Sequence, residues 1–208
     1  MKLNTKAYGK MNYGLAIVGV GQEGQDQGCL INSLQQISYY PPKFSVTINK
    51  NNQTCNALMQ AGSFAVTLVA KDADRDLLKD FGYKSGRVLA KFDGINCEKD
   101  SFGNPYLKEG MTAVISCQVT DQVDLGRYIL FVAEAKGAEL FQDSYPMTLE
   151  EFKDEGNTPP ANATVYRTMD ENEGFRCTVC GYICDKDELP ADYKCPICRA
   201  PASKFEKR

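Results

Sequence analysis

The sequence contains no histidine, so no mechanism that turns on an imidazole is open to it. Neither a Ser-His-Asp or Cys-His nucleophile pair nor a His-ligated zinc or iron can be built. It also has no basic surplus. Its 24 Lys and Arg against 27 Asp and Glu leave a net charge of −3, with no block of like charge, which speaks against a nucleic-acid-binding surface. No apolar run reaches membrane-spanning length, and the opening stretch MKLNTKAYGKMNYG lacks the apolar core of an export signal, so a cytoplasmic protein is expected. A further absence is local. From Gln27 to Lys71 there is no Asp or Glu, and the only charges are Lys43, Lys50 and Lys71. Either buried strands exclude acids there, or the segment is kept clear for an anion. Chemistry is left to cysteine, carboxylate, lysine, tyrosine or a bound cofactor.

The chain has 208 residues, 43% of them hydrophobic, which suits one mid-sized domain and a small appendage. Residues Tyr13–Val20 read as a buried strand, followed by the Gly-rich stretch GQEGQDQG and a second strand, CLINSLQQI. Phe44–Lys50 alternates, and Phe64–Ala70 reads as a strand buried on both faces. The pattern predicts a short capped helix in NNQTCNALMQAG ending at Gly62, a second in DADRDLLKDFGY with Gly82 as its stop, and a third in TLEEFKD. Met111–Thr120 and Arg127–Ala135 alternate around DQVDLG and predict an antiparallel hairpin. Strands outnumber helices, so residues 1–155 are expected to form a mainly β fold, an antiparallel barrel with a few short helices. Residues 156–173 are polar and Pro-rich and read as a flexible linker; 174–208 form the appendage.

Gly19-Val20-Gly21-Gln22-Glu23-Gly24 is a literal G-x-G-x-x-G after a predicted strand. A dinucleotide fingerprint also needs a helix directly after it and an acid about twenty residues on. Neither is present, so the glycines are read as a hairpin turn.

Eight of the nine cysteines divide into two groups of four. Cys29, Cys55, Cys97 and Cys117 stand singly and read as small apolar residues. Cys177, Cys180, Cys195 and Cys198 form two C-x2-C pairs separated by fourteen residues, the spacing of a tetrahedral four-thiolate site for zinc or iron. Cys184 lies outside both pairs. Upstream, INKNNQTCN runs polar donors into a helix start, where free amides, a lysine and a threonine hydroxyl could seat a phosphate.

FRCTVCGYICD and YKCPICRAPASKFE resemble rubredoxin over Phe175–Glu206, a likeness that implies one iron cycling between ferric and ferrous states, with a structural zinc ribbon as the alternative. Cys184 stands where that family usually has tyrosine. The stretch from Gly28 to Ala70, with Pro41-Pro42 and Asn49 followed by Thr54, resembles the flavin reductase-like, FMN-binding split-barrel family, as does GRVLAKFDGI; the likeness spans Lys10 to Gly137. It implies that Asn32, Ser33 and Gln36 face the flavin ring or ribityl chain, that Asn49, Lys50, Asn51 and Thr54 hold ribityl and phosphate, and that Lys91 and Phe92 lie near the cofactor edge. Asn51 is equally placed to cap the helix, and Phe92 to be core. Together the two resemblances imply a flavin reductase–rubredoxin fusion in which NAD(P)H reduces FMN, FMN reduces the four-cysteine iron, and iron reduces an external acceptor such as a flavodiiron protein that removes oxygen or nitric oxide. They also imply a homodimer. About twenty linker residues would reach roughly 25 Å, enough for the iron module to move between flavin and partner. The other reading is a non-redox ligand-binding barrel with a zinc ribbon as docking module.

Overall fold

The computed structural model describes residues 4–165, 174–179, 182–184, 188–196 and 198–207. One sheet dominates it. Its strands are β1 (Ala16–Val20), β2 (Gln27–Ile31), β3 (Gln35–Ser38), β4 (Lys43–Asn49) and β5 (Ser63–Val69), with β8 (Met111–Asp124) and β9 (Tyr128–Leu140). They are ordered β2-β1-β5-β8-β9-β4-β3, every neighbour antiparallel. A small ribbon of β6 (Glu98–Lys99) and β7 (Pro105–Tyr106) lies apart. β2 and β3 are at opposite edges of the sheet, yet only Asn32, Ser33 and Leu34 join them. A few residues of extended chain span only ~10 Å. The sheet must therefore roll until its two edges face each other, and because they do not pair, the barrel is split.

Rolling creates two apolar layers. Inside lie Val18, Cys29, Ile31, Val46, Ile48, Phe64, Val66 and Phe131. On the outer face of β1, β2 and β5, Leu15, Ile17, Leu30 and Val69 are covered by Leu78, Phe81, Phe92, Met147 and Phe152. β1 and β5 are thus buried on both sides, which is why they read as unbroken apolar runs.

Among the described residues, three α-helices sit on this frame. α1 (Gln53–Ala61) is capped by the Asn52 side chain, which accepts from Thr54 N, and ends at Gly62 in the left-handed region. α3 (Leu149–Asp154) opens with a capping box between Thr148 and Glu151. α2 (Arg75–Tyr83) begins at its Asp74 cap, but it runs through Gly82 instead of stopping there. Gly82 is a packing glycine: a Cβ on it would lie 3.3 Å from Leu30 and 3.5 Å from Pro160.

Three further expectations are revised. CLINSLQQI is two strands, broken at Asn32–Leu34 where the chain crosses between the sheet edges. DQVDLG is not a loop: β8 and β9 pair on through it, and the reversal comes at Gly126, with Leu125 N bonded to Tyr128 O. The β8 side of that arm, Asp121–Asp124, is exposed, so its polar residues mimic a loop, while Ile129 and Phe131 opposite them on β9 are buried. Finally, the first part of the segment expected to be a flexible linker is laid onto the barrel. Ala161 N donates to Gly82 O at 2.9 Å, and Asn162 and Ala163 are buried. The Gly-rich stretch is the turn of the β1–β2 hairpin, as the sequence suggests.

The appendage is a three-stranded sheet in the order β11-β10-β12, made of β10 (Phe175–Cys177), β11 (Ile183–Cys184) and β12 (Phe205–Lys207). Phe205 meets Tyr193 edge to face at 5.4 Å.

Candidate functional site

In the appendage the sequence folds two tight turns toward each other. Cys177 ends β10, and its amide donates to Tyr182 O at 2.8 Å. Cys195 N donates to Ala200 O at 2.8 Å and Arg199 N to Cys195 O at 2.9 Å, with Arg199 in the left-handed region. These turns bring the Cys177, Cys195 and Cys198 sulfurs within 4.8 Å of one another. Cys177 and Cys198 are 3.6 Å apart. That separation is far beyond a disulfide, ~2.05 Å. It matches the ~3.8 Å edge of a tetrahedron with metal–sulfur bonds of ~2.3 Å. Three thiols therefore stand at three corners of a metal site. Cys180, the expected fourth ligand, lies outside the described residues. Cys184 is buried but stands outside the thiol cluster, against the Tyr193 hydroxyl, which burial and then the Cys184 hydrogen bond hold protonated.

The candidate cofactor residues divide into groups. Ser33 Oγ donates to Thr47 O at 2.9 Å and accepts from Thr47 N at 3.0 Å, tying the strand crossing to β4 two residues before Asn49. β4 then leads into the N-terminus of α1. There Asn49 Oδ1 accepts from Asn51 N at 2.9 Å, and Lys50 pairs with Asp124 of the β8–β9 arm at 2.6 Å. The helix cap is Asn52, one residue beyond the expected Asn51. Thr54 in the first turn is buried with only the Cys29 thiol beside its hydroxyl, and Asn32 Nδ2 has no hydrogen-bond partner among the described residues. Asn32 Oδ1 accepts from Thr164 N at 2.9 Å. Buried polar atoms left without partners are what a site shaped for a polar ligand retains, since each costs free energy until satisfied. Sequence reasoning passed over Arg87. With the Gln53 amide oriented to accept, Arg87 Nη2 donates to it at 2.9 Å, which brings a guanidinium to the start of α1. The signal was the GR of GRVLAKF, read for its lysine and phenylalanine only.

The remaining three residues are elsewhere. Gln36 is exposed on the edge strand β3, its Nε2 bonded to Ser38 O. Lys91 and Phe92 are beneath the outer face of the sheet, in the layer with α2. Phe92 meets Phe81 edge to face at 5.0 Å. Lys91 Nζ donates to Gly28 O at 3.0 Å and Phe81 O at 3.1 Å, so it closes two carbonyls and points into protein.

Burial pushes the Lys91 ammonium down to about 8, below its ordinary 10.5. The native state therefore binds fewer protons than the unfolded chain between pH 8 and 10.5, and stability rises with pH across that window. Relative to Lys91→Met, the wild type is expected to gain about 1 kcal/mol per pH unit from pH 8 to 10 in urea unfolding. Cys55 and Cys117 cancel in that difference, whereas Cys29 is coupled to Lys91 and loses its stabilising neighbour in the variant. In each protein separately the core thiols work the other way: burial raises Cys29 and Cys55 to about 11 and Cys117 to about 12, so stability falls above pH 9.

Among known families, the flavin reductase like domain matches residues 8–155 and the rubrerythrin, rubredoxin-like domain matches residues 175–206. The high molecular weight rubredoxin of Moorella thermoacetica is 30% identical over 99% of this chain and 100% of its own length. The ferric-chelate reductase (NAD(P)H) of Archaeoglobus fulgidus is 31% identical over 79% of this chain and 98% of its own. Among solved structures, the FMN-binding protein of Thermus thermophilus with bound p-hydroxybenzaldehyde superposes with a TM-score of 0.59 and 26% identity, covering 64% of this chain and 74% of that one. Flavoredoxin of Methanosarcina acetivorans gives 0.60 at 19% identity over 71% and 77%, a likeness of fold.

Proposed function

We propose that this chain, which belongs to the flavin reductase-like family and continues into a rubredoxin-like domain, is an NAD(P)H-dependent oxidoreductase that delivers electrons one at a time to a redox protein. The observation that carries this reading is the meeting of three thiols at metal-site distances on the same chain as a flavin reductase barrel. The two relatives agree with it: one is a high molecular weight rubredoxin, the other a ferric-chelate reductase that uses NAD(P)H. Bound flavin supplies an acceptor for a hydride, and a four-thiolate iron supplies a one-electron carrier.

The chain's own residues divide the work of holding these groups. The α1 N-terminus, with Lys50 and Arg87 beside it, offers amides and positive charge to the phosphate of FMN. Asp124 neutralises Lys50 in the meantime. Asn32 Nδ2 and Thr54 Oγ1 are donors available to the ring or ribityl chain. Cys177, Cys180, Cys195 and Cys198 hold the iron, and the buried position of Cys177 and Cys195 keeps water from them.

The acceptor in this proposal is a flavodiiron protein that removes oxygen or nitric oxide, and the assembly is a cytoplasmic homodimer. The edge strand β3 with exposed Ile37, and exposed Tyr39 and Tyr40 after it, give a second copy an apolar surface. No helix among the described residues is long and apolar enough to cross a membrane.

Absorbance of the protein purified without oxygen from iron-replete cells tests the reading. The expected result is a red four-thiolate ferric band over a yellow flavin, both bleached by NADH or NADPH. A colourless protein carrying stoichiometric zinc and no flavin would leave the zinc-ribbon docking module in its place.

A further inference from the structure

The segment after α3 does more than connect two domains. Between 157 and 165 it is fastened to the barrel at three points. Ala161 N donates to Gly82 O at 2.9 Å, Thr164 N donates to Asn32 Oδ1 at 2.9 Å, and the Tyr83 hydroxyl donates to the Thr158 carbonyl. Within it Pro160, Asn162 and Ala163 are buried. The absence of a side chain on Gly82 lets Pro160 close onto α2. The strap therefore has the fixed geometry of a surface element.

Its outer side meets the metal-binding domain. Ala161 and Tyr83 pack against the cluster formed by Cys177, Cys195 and Ala200, together with Val179, Tyr182 and Phe205. Tyr83 also belongs to the apolar layer under the barrel, with Leu78 and Phe81. One ring thus joins the barrel's outer layer to the thiol cluster.

We infer that the last turn of α2 and the strap 157–165 form a docking seat for the chain's own metal-binding domain, with Tyr83 and Ala161 as its positioning residues. The purpose of the seat rests on the electron-transfer reading; its existence does not. Residues 157–165 of the expected linker are thus held against the barrel rather than left to move. The seat is also close to the expected flavin segment, because Thr164, which Asn32 holds, is only three residues from Ala161. Three residues span at most ~10 Å. Contacts between domains of one chain release by default unless they are large and apolar.

The test uses the full chain with flavin and metal bound, in wild type and in Ala161→Glu and Ala161→Arg. Either long charged side chain would have to be buried against the thiol cluster. X-ray scattering is expected to give a larger radius of gyration for the variants, and amide exchange in 157–165 and in the metal-binding domain is expected to speed up about tenfold. Scattering and exchange unchanged in both variants would overturn the seat. Flavin absorbance and its bleaching by NADH are recorded on the same samples. Expansion of a protein that carries no flavin would keep the seat and remove the functional reading; unchanged dimensions in a protein that bleaches normally would do the reverse.

Discussion

In a Cys195→Ser variant, reduction of an external acceptor falls to background while reduction of the flavin by NAD(P)H keeps its wild-type rate within about twofold. A serine hydroxyl stays protonated at neutral pH and is a poor ligand for a soft, four-sulfur site. The expected cost goes beyond one missing bond. The apolar cluster of the metal-binding domain consists of Cys177, Cys195 and Ala200 with a few half-buried neighbours, so metal binding is a large part of its folding energy. The barrel has its own two apolar layers and does not depend on it. Cys180→Ser is expected to act in the same way. Stopped-flow absorbance under nitrogen measures both halves: flavin bleaching on mixing with nicotinamide, then acceptor reduction. Equal loss of the two would contradict a relay.

Gly19→Ala is expected to cost the barrel about 3 kcal/mol or more, a fall of about 10 °C in melting temperature. A Cβ at Gly19 would stand 2.0 Å from the Pro105 carbonyl oxygen and 3.2 Å from the Phe92 ring. The nearer obstacle is backbone, and that backbone cannot yield. It is stapled by Asn104, whose Oδ1 accepts from Gly21 N at 3.0 Å and whose Nδ2 donates to Ser63 Oγ at 3.1 Å. Gly21→Ala should behave alike, because its Cβ would meet Gly103 O at 2.4 Å. Gly14→Ala, with nothing within 4 Å, is the control and should leave the melting temperature within about 1 °C. These glycines are small because another piece of chain crosses them. Should Gly19→Ala melt normally and instead lose nicotinamide binding, the phosphate-cradle reading of G-x-G-x-x-G would return.

The metal site was legible because its information is local. C-x2-C spacing ties ligands together through a few backbone torsions, and the three described thiols meet as that spacing implies. The helix start within Asn49–Thr54 was legible for the same reason: polar donors run straight into the first turn of α1. Gln36, Lys91 and Phe92 were not legible in this way. Their place depends on which face of a strand, and which layer of the barrel, their segment covers, and sequence spacing is silent on that.

By itself the sequence determined the paired cysteines, the strand-rich character of the first 155 residues, the helix stop at Gly62, and the exclusion of imidazole chemistry. All are consequences of residue type and short-range spacing. Tertiary structure alone decided that the sheet closes through Asn32–Leu34, that Lys91 is spent on two carbonyls, that Gly19 and Gly21 admit a crossing chain, and that the strap at 157–165 is fastened down. Each of these depends on groups far apart in sequence meeting in space, where burial and hydrogen-bond satisfaction override local preference.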